Sequence, residues 1–280
     1  MMENRGRTRL AVIGSPIAHS RSPLLHRAAY RVLGVDWTYE RIEVPAGGLD
    51  AFVSGLDESW RGLSVTMPLK REALEFVDDA SAIATLTLAV NTIALTDSGS
   101  SGSNTDVRGI VAALRGNGLP EPRTPWILGA GATATSVVAA LGRLGASHAF
   151  VSARRPEQAD ALVGRAAKFE VDVTVVPWER ATRVEGADLI INTVPWGADA
   201  GLAFRDEVRA AVPLFEIVYD PWPSPLAQAW LDADGTVISG LDLLLHQAVA
   251  QVRIFVSGDE DAPLPDEHDV VAAMRAAVAG

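Results

Sequence analysis

The chain of 280 residues contains no cysteine, which excludes disulfide bonds and thiolate metal sites. That absence suits a reducing compartment, and we expect a cytoplasmic protein. No apolar run approaches the roughly 20 residues that span a bilayer, and the charged first residues are not followed by a hydrophobic segment. We therefore expect no signal peptide and no membrane partner.

Lysine is almost absent too, since all but two of the 24 Lys and Arg residues are Arg. Arginine keeps its proton in proteins, whereas lysine can release one when its surroundings favour the neutral form. Lys70 and Lys168 are therefore candidates for proton-transfer chemistry. Composition alone leaves this open, because two lysines can also be a chance remnant.

Positive charge is in short supply overall, and the formal net charge is −11 at pH 7. Nucleic-acid binding requires basic surface, so we expect no nucleic-acid partner. An anionic small molecule must then be met by a local positive patch. The histidines show no spacing with carboxylates that is typical of a metal site, so we expect no metal.

Short apolar segments of strand length alternate with helix-like stretches, which predicts an α/β fold. One helix has clear boundary signals, with Ser22 as N-cap, Pro23 in the first turn and Gly34 just past the end. The polar segment 96–102 predicts a hairpin or an excursion of the chain. The strands expected in this first part lie at 10–13, 38–44, 63–66 and 90–95.

After a loop at 116–125, the second part shows a more regular series of strands and helices. This alternation predicts a parallel, doubly wound sheet. A helix is expected at 133–144, closed by Gly145. Another is expected directly after Gly240, and a final helix is expected at 270–278. The expected strands lie at 125–128, 148–152, 171–176, 188–193, 214–219 and 236–239.

A G-x-G-x-x-A string at 129–134 lies between a predicted strand and a predicted helix. Its first glycine permits a tight turn, its second lets the backbone approach a pyrophosphate, and its small last residue allows close packing of helix and strand. The helix N-terminus would hold the pyrophosphate. Strings of this kind are common in alanine-rich chains, so the strand–turn–helix context is what favours a dinucleotide site.

The next predicted strand ends at Ser152 and runs into Arg154 and Arg155. NAD enzymes usually place an acidic residue there to bind the ribose 2′-hydroxyl. Two guanidinium groups and no carboxylate favour a 2′-phosphate instead, and so NADP. The alternative is that both arginines simply begin an exposed helix.

Five further segments form distinctive motifs: GSPIAHSRSP at 14–23, SVTMPLK at 64–70, AVNT at 89–92, NTD at 104–106 and the stretch 240–248. They resemble, in the same order along the chain, the signature motifs of the shikimate dehydrogenase family. With the glycine-rich loop they cover nearly the whole length. The segment YDPWP at 219–223 is similar to the actinobacterial branch of that family.

This resemblance implies NADPH-dependent, reversible reduction of 3-dehydroshikimate to shikimate, a step toward chorismate and the aromatic amino acids. It implies an N-terminal α/β substrate domain, residues 1–106 completed by helices at 245–280. A Rossmann-like NADP domain, residues 107–244, would face it across a cleft. We expect a monomer or a homodimer.

The resemblance also implies roles for individual residues, with Lys70 and Asp106 as the catalytic acid–base pair. An ammonium group paired with a carboxylate can deliver a proton and stabilise the negative charge that develops during carbonyl reduction. The implied substrate-binding residues are Ser20, Ser22, Ser64, Thr66, Lys70, Asn91, Asp106, Tyr219 and Gln247. The implied cofactor-binding residues are Gly129, Ala130, Gly131, Ala132, Thr133, Ala134, Ser152, Arg154, Arg155, Thr193, Val194, Val218, Gly240 and Leu243.

Three positions depart from the pattern of the family. Ser64 stands where many members have Asn, Pro223 where many have a second Tyr, and Thr135 where an Arg is common. The first two leave the substrate open, and one alternative is an NAD-linked quinate or shikimate dehydrogenase. Another is a catalytically weak NADPH-binding paralogue. The two arginines after Ser152 oppose the first alternative, and the intact catalytic pair opposes the second.

Overall fold

A computed structural model describes residues 6–119, 121–183, 185–197 and 201–279 of the chain. The chain divides into two compact units, each with its own sheet. The first unit comprises Met1–Asp106 and Leu244–Gly280, and the second comprises Val107–Leu243. In the described part of the chain, no helix combines the length and the apolar character needed to cross a membrane.

The first unit is built on a mixed sheet of six strands. These are β1 Arg9–Gly14, β2 Thr38–Glu43, β3 Trp60–Val65, β4 Asp79–Ala80, β5 Thr92–Thr96 and β6 Gly99–Ser103. Their order is β2-β1-β3-β5-β6-β4. Strand β1 is parallel to β2 and β3, β5 is antiparallel to β3 and β6, and β4 is parallel to β6.

Four helices connect these strands, and a fifth follows β6. They are α1 Ser22–Leu33, α2 Leu49–Ser54, α3 Lys70–Phe76, α4 Ala82–Thr87 and α5 Asp106–Gly116. Strands β1 and β3 are buried along nearly their whole length, as is typical of central parallel strands. Their apolar side chains, including Ile13, Leu63 and Val65, form the core of the unit.

Of the two interpretations of the polar segment 96–102, the hairpin is correct. Strands β5 and β6 pair from Thr92–Ser103 to Thr96–Gly99, with a two-residue turn between them. Gly99 has a φ of 134°, which a residue with a side chain rarely adopts.

The predicted start of α1 is wrong by one residue. Ser22 is the first helical residue rather than the N-cap, and Arg21 holds the cap position without a side-chain hydrogen bond. The chain enters α1 through a turn in which the amide of Ser20 bonds to Ile17 O. The Ser20 hydroxyl then accepts from the Ser22 amide at 3.3 Å, so Ser20 satisfies that amide. The predicted end is confirmed, because Gly34 closes α1 in the left-handed region at φ 64°.

The described residues of the second unit form six strands, all parallel. They are β7 Pro125–Leu128, β8 His148–Ser152, β9 Asp172–Val175, β10 Leu189–Asn192, β11 Leu214–Glu216 and β12 Val237–Ser239. Their order is β12-β11-β10-β7-β8-β9, which is the 3-2-1-4-5-6 order of a dinucleotide-binding sheet. The predicted doubly wound sheet is therefore confirmed.

Helices cover this sheet and then complete the chain. Those of the second unit are α6 Ala132–Arg143, α7 Pro156–Ala166, α8 Asp206–Ala211 and α9 Pro225–Leu231, with single 3₁₀ turns at Ala167–Phe169 and Trp178–Arg180. Helices α10 Gly240–Ser257 and α11 Glu267–Val278 follow β12. In the first unit, α11 packs against α1.

Candidate active site

The topology of the first sheet brings four chain segments to one edge. Strands β1 and β3 are parallel, so their carboxyl ends lie at the same edge. Strand β5 runs the opposite way and begins there, and β6 returns to end there. The loops at 15–21, 66–69, 88–91 and 104–105 therefore meet, and the predicted substrate residues of this unit outside α10 lie in or beside them.

Backbone contacts hold the first two of these loops together. The Ser15 amide donates to Met67 O at 3.0 Å, and the Thr66 amide donates to Ile13 O at 3.0 Å. Gly14 lies between them without room for a side chain, because a Cβ there would be 2.6 Å from Met67 O. The close approach of the two loops thus depends on that glycine.

Lys70 and Asp106 form an ion pair at this edge, in which Lys70 Nζ donates to Asp106 Oδ2. Lys70 is the first residue of α3, and Asp106 is the first residue of α5. Their side chains are only 16% and 9% exposed, so the pair is largely shielded from water. Lys168, in contrast, is exposed on a 3₁₀ turn of the second unit.

Asn91 holds the other oxygen of that carboxylate. Its Nδ2 donates to Asp106 Oδ1 at 2.7 Å and lies 3.5 Å from Gln247 Oε1. Its Oδ1 accepts from the Thr105 amide at 2.9 Å and from Thr92 Oγ1 at 2.8 Å. Asn91 is buried, so its amide orientation is set by four neighbours in the protein.

The serines of the first loop lie at the start of α1. Ser20 and Ser22 are buried, and Ser20 O accepts from Arg41 Nε at 2.6 Å, which fixes the loop. Thr66 is half-buried after β3. Tyr219, the remaining predicted substrate residue outside the first unit, is half-buried in the second.

Ser64, which the resemblance implied as a substrate-binding residue, forms hydrogen bonds within the protein. It is buried inside β3, where its hydroxyl accepts from Tyr39 OH at 2.6 Å and donates to Gln251 Oε1 at 2.9 Å. The bond to Gln251 uses its only hydrogen. Ser64 therefore acts as a link within the protein in this arrangement, and it has no hydrogen left to donate to a substrate hydroxyl.

Sequence reasoning missed a buried polar cluster next to this site. His26, on α1, is fully buried, stacks on Tyr39 with ring centroids 3.9 Å apart, and lies 3.2 Å from Gln251 Oε1 through Nε2. One signal was available: Gln251 follows Gln247 by one helical turn on α10, on an otherwise apolar face.

The burial of His26 predicts a pH-dependent stability. Desolvation lowers the pKa of His26 from 6.5 to about 3, although its hydrogen bond to Gln251 opposes the shift. Below pH 6.5 the unfolded chain binds a proton at His26 that the folded chain does not, so stability falls as the pH drops toward 3. From pH 7.5 to pH 5 this contributes a loss of about 2 kcal/mol, at about 1.4 kcal/mol per pKa unit.

Urea denaturation of the wild type and of His26→Gln at both pH values measures this loss. The variant is less stable throughout, but its free energy of unfolding should fall by about 2 kcal/mol less between the two pH values. His268→Gln is the matched control, because that side chain is 97% exposed. Equal pH dependence in the wild type and His26→Gln would contradict the prediction.

The second unit gathers its predicted cofactor residues at the carboxyl edge of its sheet, because all six strands run the same way. In doubly wound sheets, ligands bind outside this edge. Gly129, at the end of β7, has a φ of 100° and donates its amide to Ser152 O at 2.8 Å. A Cβ there would lie 2.5 Å from Thr193 Oγ1, so only glycine fits.

The loop after Gly129 leads into the start of α6. Around Gly131 the described residues leave open space, with no atom within 4 Å of an added Cβ. The first amide bonded in helical fashion is that of Thr135, to Gly131 O, so the preceding amides of the first turn are available to an anion. Ala134 is fully buried and lets α6 pack closely on the sheet.

Arg154 and Arg155 directly follow β8 at the same edge. Both are exposed, and Arg155 precedes the first turn of α7. Within the described ranges, neither guanidinium forms an ion pair or a hydrogen bond. Ser152 is fully buried, where its hydroxyl accepts from Trp126 Nε1 at 3.1 Å and its carbonyl supports the glycine-rich loop.

The loops after β10 and β11 are held by a buried carboxylate that the sequence did not point to. Glu216 is fully buried and accepts from Asn192 Nδ2 at 3.0 Å, Ser224 Oγ at 2.7 Å and the Val218 amide at 3.1 Å. Thr193 is fixed in turn, since its hydroxyl donates to Leu128 O at 2.8 Å.

The other predicted cofactor residues lie in or after these loops. Val194 and Leu243 are buried, and Gly240 begins α10. A Cβ on Gly240 would lie 2.0 Å from Ile217 O, so packing alone requires glycine there. The described residues contain no group of three or more His, Asp or Glu that could hold a metal.

The model of the shikimate dehydrogenase substrate binding domain family matches residues 12–93. The NADP(+) shikimate dehydrogenase of Rubrobacter xylanophilus is 35% identical over 279 residues, covering 97% of this chain and 95% of that protein. Both findings agree with the motifs read from the sequence.

Solved structures give the same result. Shikimate dehydrogenase from Mycobacterium tuberculosis, an actinobacterium, is 41% identical with a TM-score of 0.84, covering 96% of this chain and 99% of that one. Shikimate 5-dehydrogenase from Thermus thermophilus, solved with NADP(H) and shikimate, is 30% identical with a TM-score of 0.81, covering 97% and 100%. Because relatives above 30% identity match at least 96% of the chain, the chain belongs to the shikimate dehydrogenase family.

Proposed function

We propose that the protein reduces 3-dehydroshikimate reversibly to shikimate with NADPH, in the pathway to chorismate and the aromatic amino acids. The observation that carries this proposal is the shielded Lys70–Asp106 pair in a chain of this family. The first unit binds the substrate, and the second binds NADP. The parallel sheet with a glycine-rich loop at its carboxyl edge supports the second assignment.

The Lys70–Asp106 ion pair carries out the proton transfer of the proposed reaction. NADPH, when bound by the second unit, would supply the hydride that reduces the carbonyl carbon. Lys70 Nζ donates a proton to the carbonyl oxygen as negative charge develops there, and the neutral amine accepts a proton in the reverse direction. Asp106 holds the ammonium group in place, and Asn91 fixes the carboxylate from the other side.

The substrate carboxylate is bound by the hydroxyls of Ser20 and Ser22. Their position at the start of the 12-residue helix α1 supports this, because a helix N-terminus carries partial positive charge and needs no added cation. Many family members have a second Tyr at the position of Pro223, and its phenol contacts this carboxylate. Here Ser20 and Ser22 alone, Tyr219 or a water makes that contact. The ring hydroxyls and the carbonyl bind to Thr66, Lys70, Asn91, Asp106 and Gln247.

NADP is bound at the carboxyl edge of the second sheet. The loop 129–134 would hold the pyrophosphate, and the open side of that loop at Gly131 supports this assignment. The 2′-phosphate is bound by Arg154 and Arg155. Ser152 supports the loop 129–134 from inside, because its side chain is buried and its carbonyl accepts from the Gly129 amide. Further contacts come from Thr193, Val194, Val218, Gly240 and Leu243.

We further propose a cytoplasmic monomer or homodimer without a membrane or nucleic-acid partner. The formal net charge of −11 supports the absence of nucleic acid.

An assay of the reduced nicotinamide, with shikimate or quinate crossed against NADP or NAD, tests the proposed function. We expect efficient turnover only for shikimate with NADP. Faster turnover of quinate with NAD would establish the alternative activity instead. Cofactor binding without turnover of either substrate would establish the inactive paralogue.

A further inference from the structure

A chain of buried hydrogen bonds runs behind the Lys70–Asp106 pair, with Gln251 of α10 at its centre. Gln251 Nε2 donates to Asn91 O at 3.0 Å and to Thr92 Oγ1 at 3.1 Å. Thr92 Oγ1 donates to Asn91 Oδ1 at 2.8 Å, and Asn91 Nδ2 donates to Asp106 Oδ1 at 2.7 Å. Gln251 is thus hydrogen-bonded to the backbone of Asn91 directly and to its side chain through Thr92, and Asn91 in turn holds the Asp106 carboxylate.

The orientation of the Gln251 amide is unambiguous. Its nitrogen faces Asn91 O, a carbonyl that can only accept, so the opposite orientation would bring two oxygens together. Its Oε1 accepts from Ser64 Oγ at 2.9 Å and lies 3.2 Å from His26 Nε2. His26 Nε2 therefore carries the hydrogen, and Nδ1 accepts from Tyr30 OH at 3.1 Å.

Every bond in this chain is donated toward Asp106. In order, the donors are Tyr39, Ser64, Gln251, Thr92 and Asn91. All five are buried, so water does not compete for these bonds. Hydrogen bonds aligned in series polarise one another and make the arrangement stiffer than its separate pairs.

We infer that Gln251 is a positioning residue for the reaction, acting through Thr92 and Asn91 to hold the Asp106 carboxylate against Lys70. This inference rests on the proposed function, in which that pair transfers the proton. A displacement of about 1 Å in a catalytic group can cost on the order of 10²-fold in rate. A residue that never touches the substrate can therefore govern kcat.

Two substitutions test the link at different points. Gln251→Met keeps the length of the side chain and removes its amide, and Thr92→Val keeps the shape and removes the hydroxyl. Ile93→Val is the matched control, because it loosens the same strand in the apolar core without touching the hydrogen bonds. For each folded variant, kcat, both KM values and the urea midpoint are measured.

We expect kcat to fall about tenfold or more in Gln251→Met and Thr92→Val, with the KM for NADP unchanged. Ile93→Val should keep kcat within about twofold although its urea midpoint drops. A purely structural role would lower the midpoints and leave kcat at the wild-type value, and that result overturns the inference. If Gln251→Met fails to fold, the kcat of Thr92→Val decides whether the inference holds.

The ring nitrogens of His26 provide a readout that needs no turnover. Nitrogen NMR of the wild type should show a neutral ring with its hydrogen on Nε2, and Gln251→Met should change that signal. A hydrogen on Nδ1 would reverse the direction of the bonds and overturn the inference. Failure of the proposed function is distinguishable, because it is seen in the wild type as an absence of dehydroshikimate reduction.

Discussion

Lys70→Ala should lower kcat by about 10²–10⁴-fold while the KM for shikimate changes much less. The lost interaction forms mainly with the charge that develops on the substrate oxygen, so it stabilises the transition state more than the bound ground state. The position of Lys70 supports this expectation, because its ammonium is held by Asp106 and largely shielded from water. In a site from which water is excluded, each charge interaction is worth more.

Lys70→Arg should also be nearly inactive. Arginine keeps the positive charge but does not release its proton, and its planar guanidinium does not fit the place of a compact ammonium. Lys168→Ala is a natural control, because it removes the only other lysine, which is exposed in the second unit. Steady-state kinetics of the three variants provide the measurement. Near wild-type activity in Lys70→Arg would limit Lys70 to an electrostatic role.

The second expected result concerns cofactor choice. The wild type should prefer NADP over NAD by about tenfold or more in kcat/KM, which corresponds to about 1.4 kcal/mol. Arg154→Ala combined with Arg155→Ala should remove most of this preference by weakening NADP, with NAD nearly unaffected. A 2′-phosphate forms charge-assisted hydrogen bonds that a 2′-hydroxyl cannot match. Both arginines are exposed, so added salt should also reduce the preference.

Arg115→Ala combined with Arg143→Ala is the matched control. These arginines are exposed in the same unit and line one surface groove, and Arg143 ends α6 at the far side from the glycine-rich loop. Their removal changes the net charge equally but should leave the cofactor ratio unchanged. If the wild type uses both cofactors equally, the interpretation of the arginine pair is wrong and the NAD-linked alternative returns.

Local patterns were sufficient to predict the second sheet. Its strands are short apolar runs between helices, and the turn at Gly129 needs only a strand, a glycine and a helix start in succession. The predicted strand ends were less accurate. Strand β11 stops at Glu216 rather than Tyr219, because the buried Glu216 side chain bonds to the Val218 amide and ends the strand pairing.

Features that depend on distant residues escaped prediction. Helices α2, α3 and α4 have only six or seven residues, so tertiary packing rather than helix propensity stabilises them. The role of Ser64 depends on Tyr39 and Gln251, which are far from it in the chain. Composition alone made Lys70 a candidate for proton transfer, without any structure. Its partner Asp106 was identified only through the resemblance to a family.

Among the described residues, Arg154 and Arg155 are exposed and have no ion-pair or hydrogen-bond partner. Because neither side chain supports the fold in the described part of the structure, exchanging them carries little penalty in stability. Gly129 has no such freedom, since its φ of 100° and its contact with Thr193 exclude any side chain. Under the proposed function, substitution of these two exposed residues can change the preference between NADP and NAD, while the loop proposed to bind the dinucleotide stays fixed.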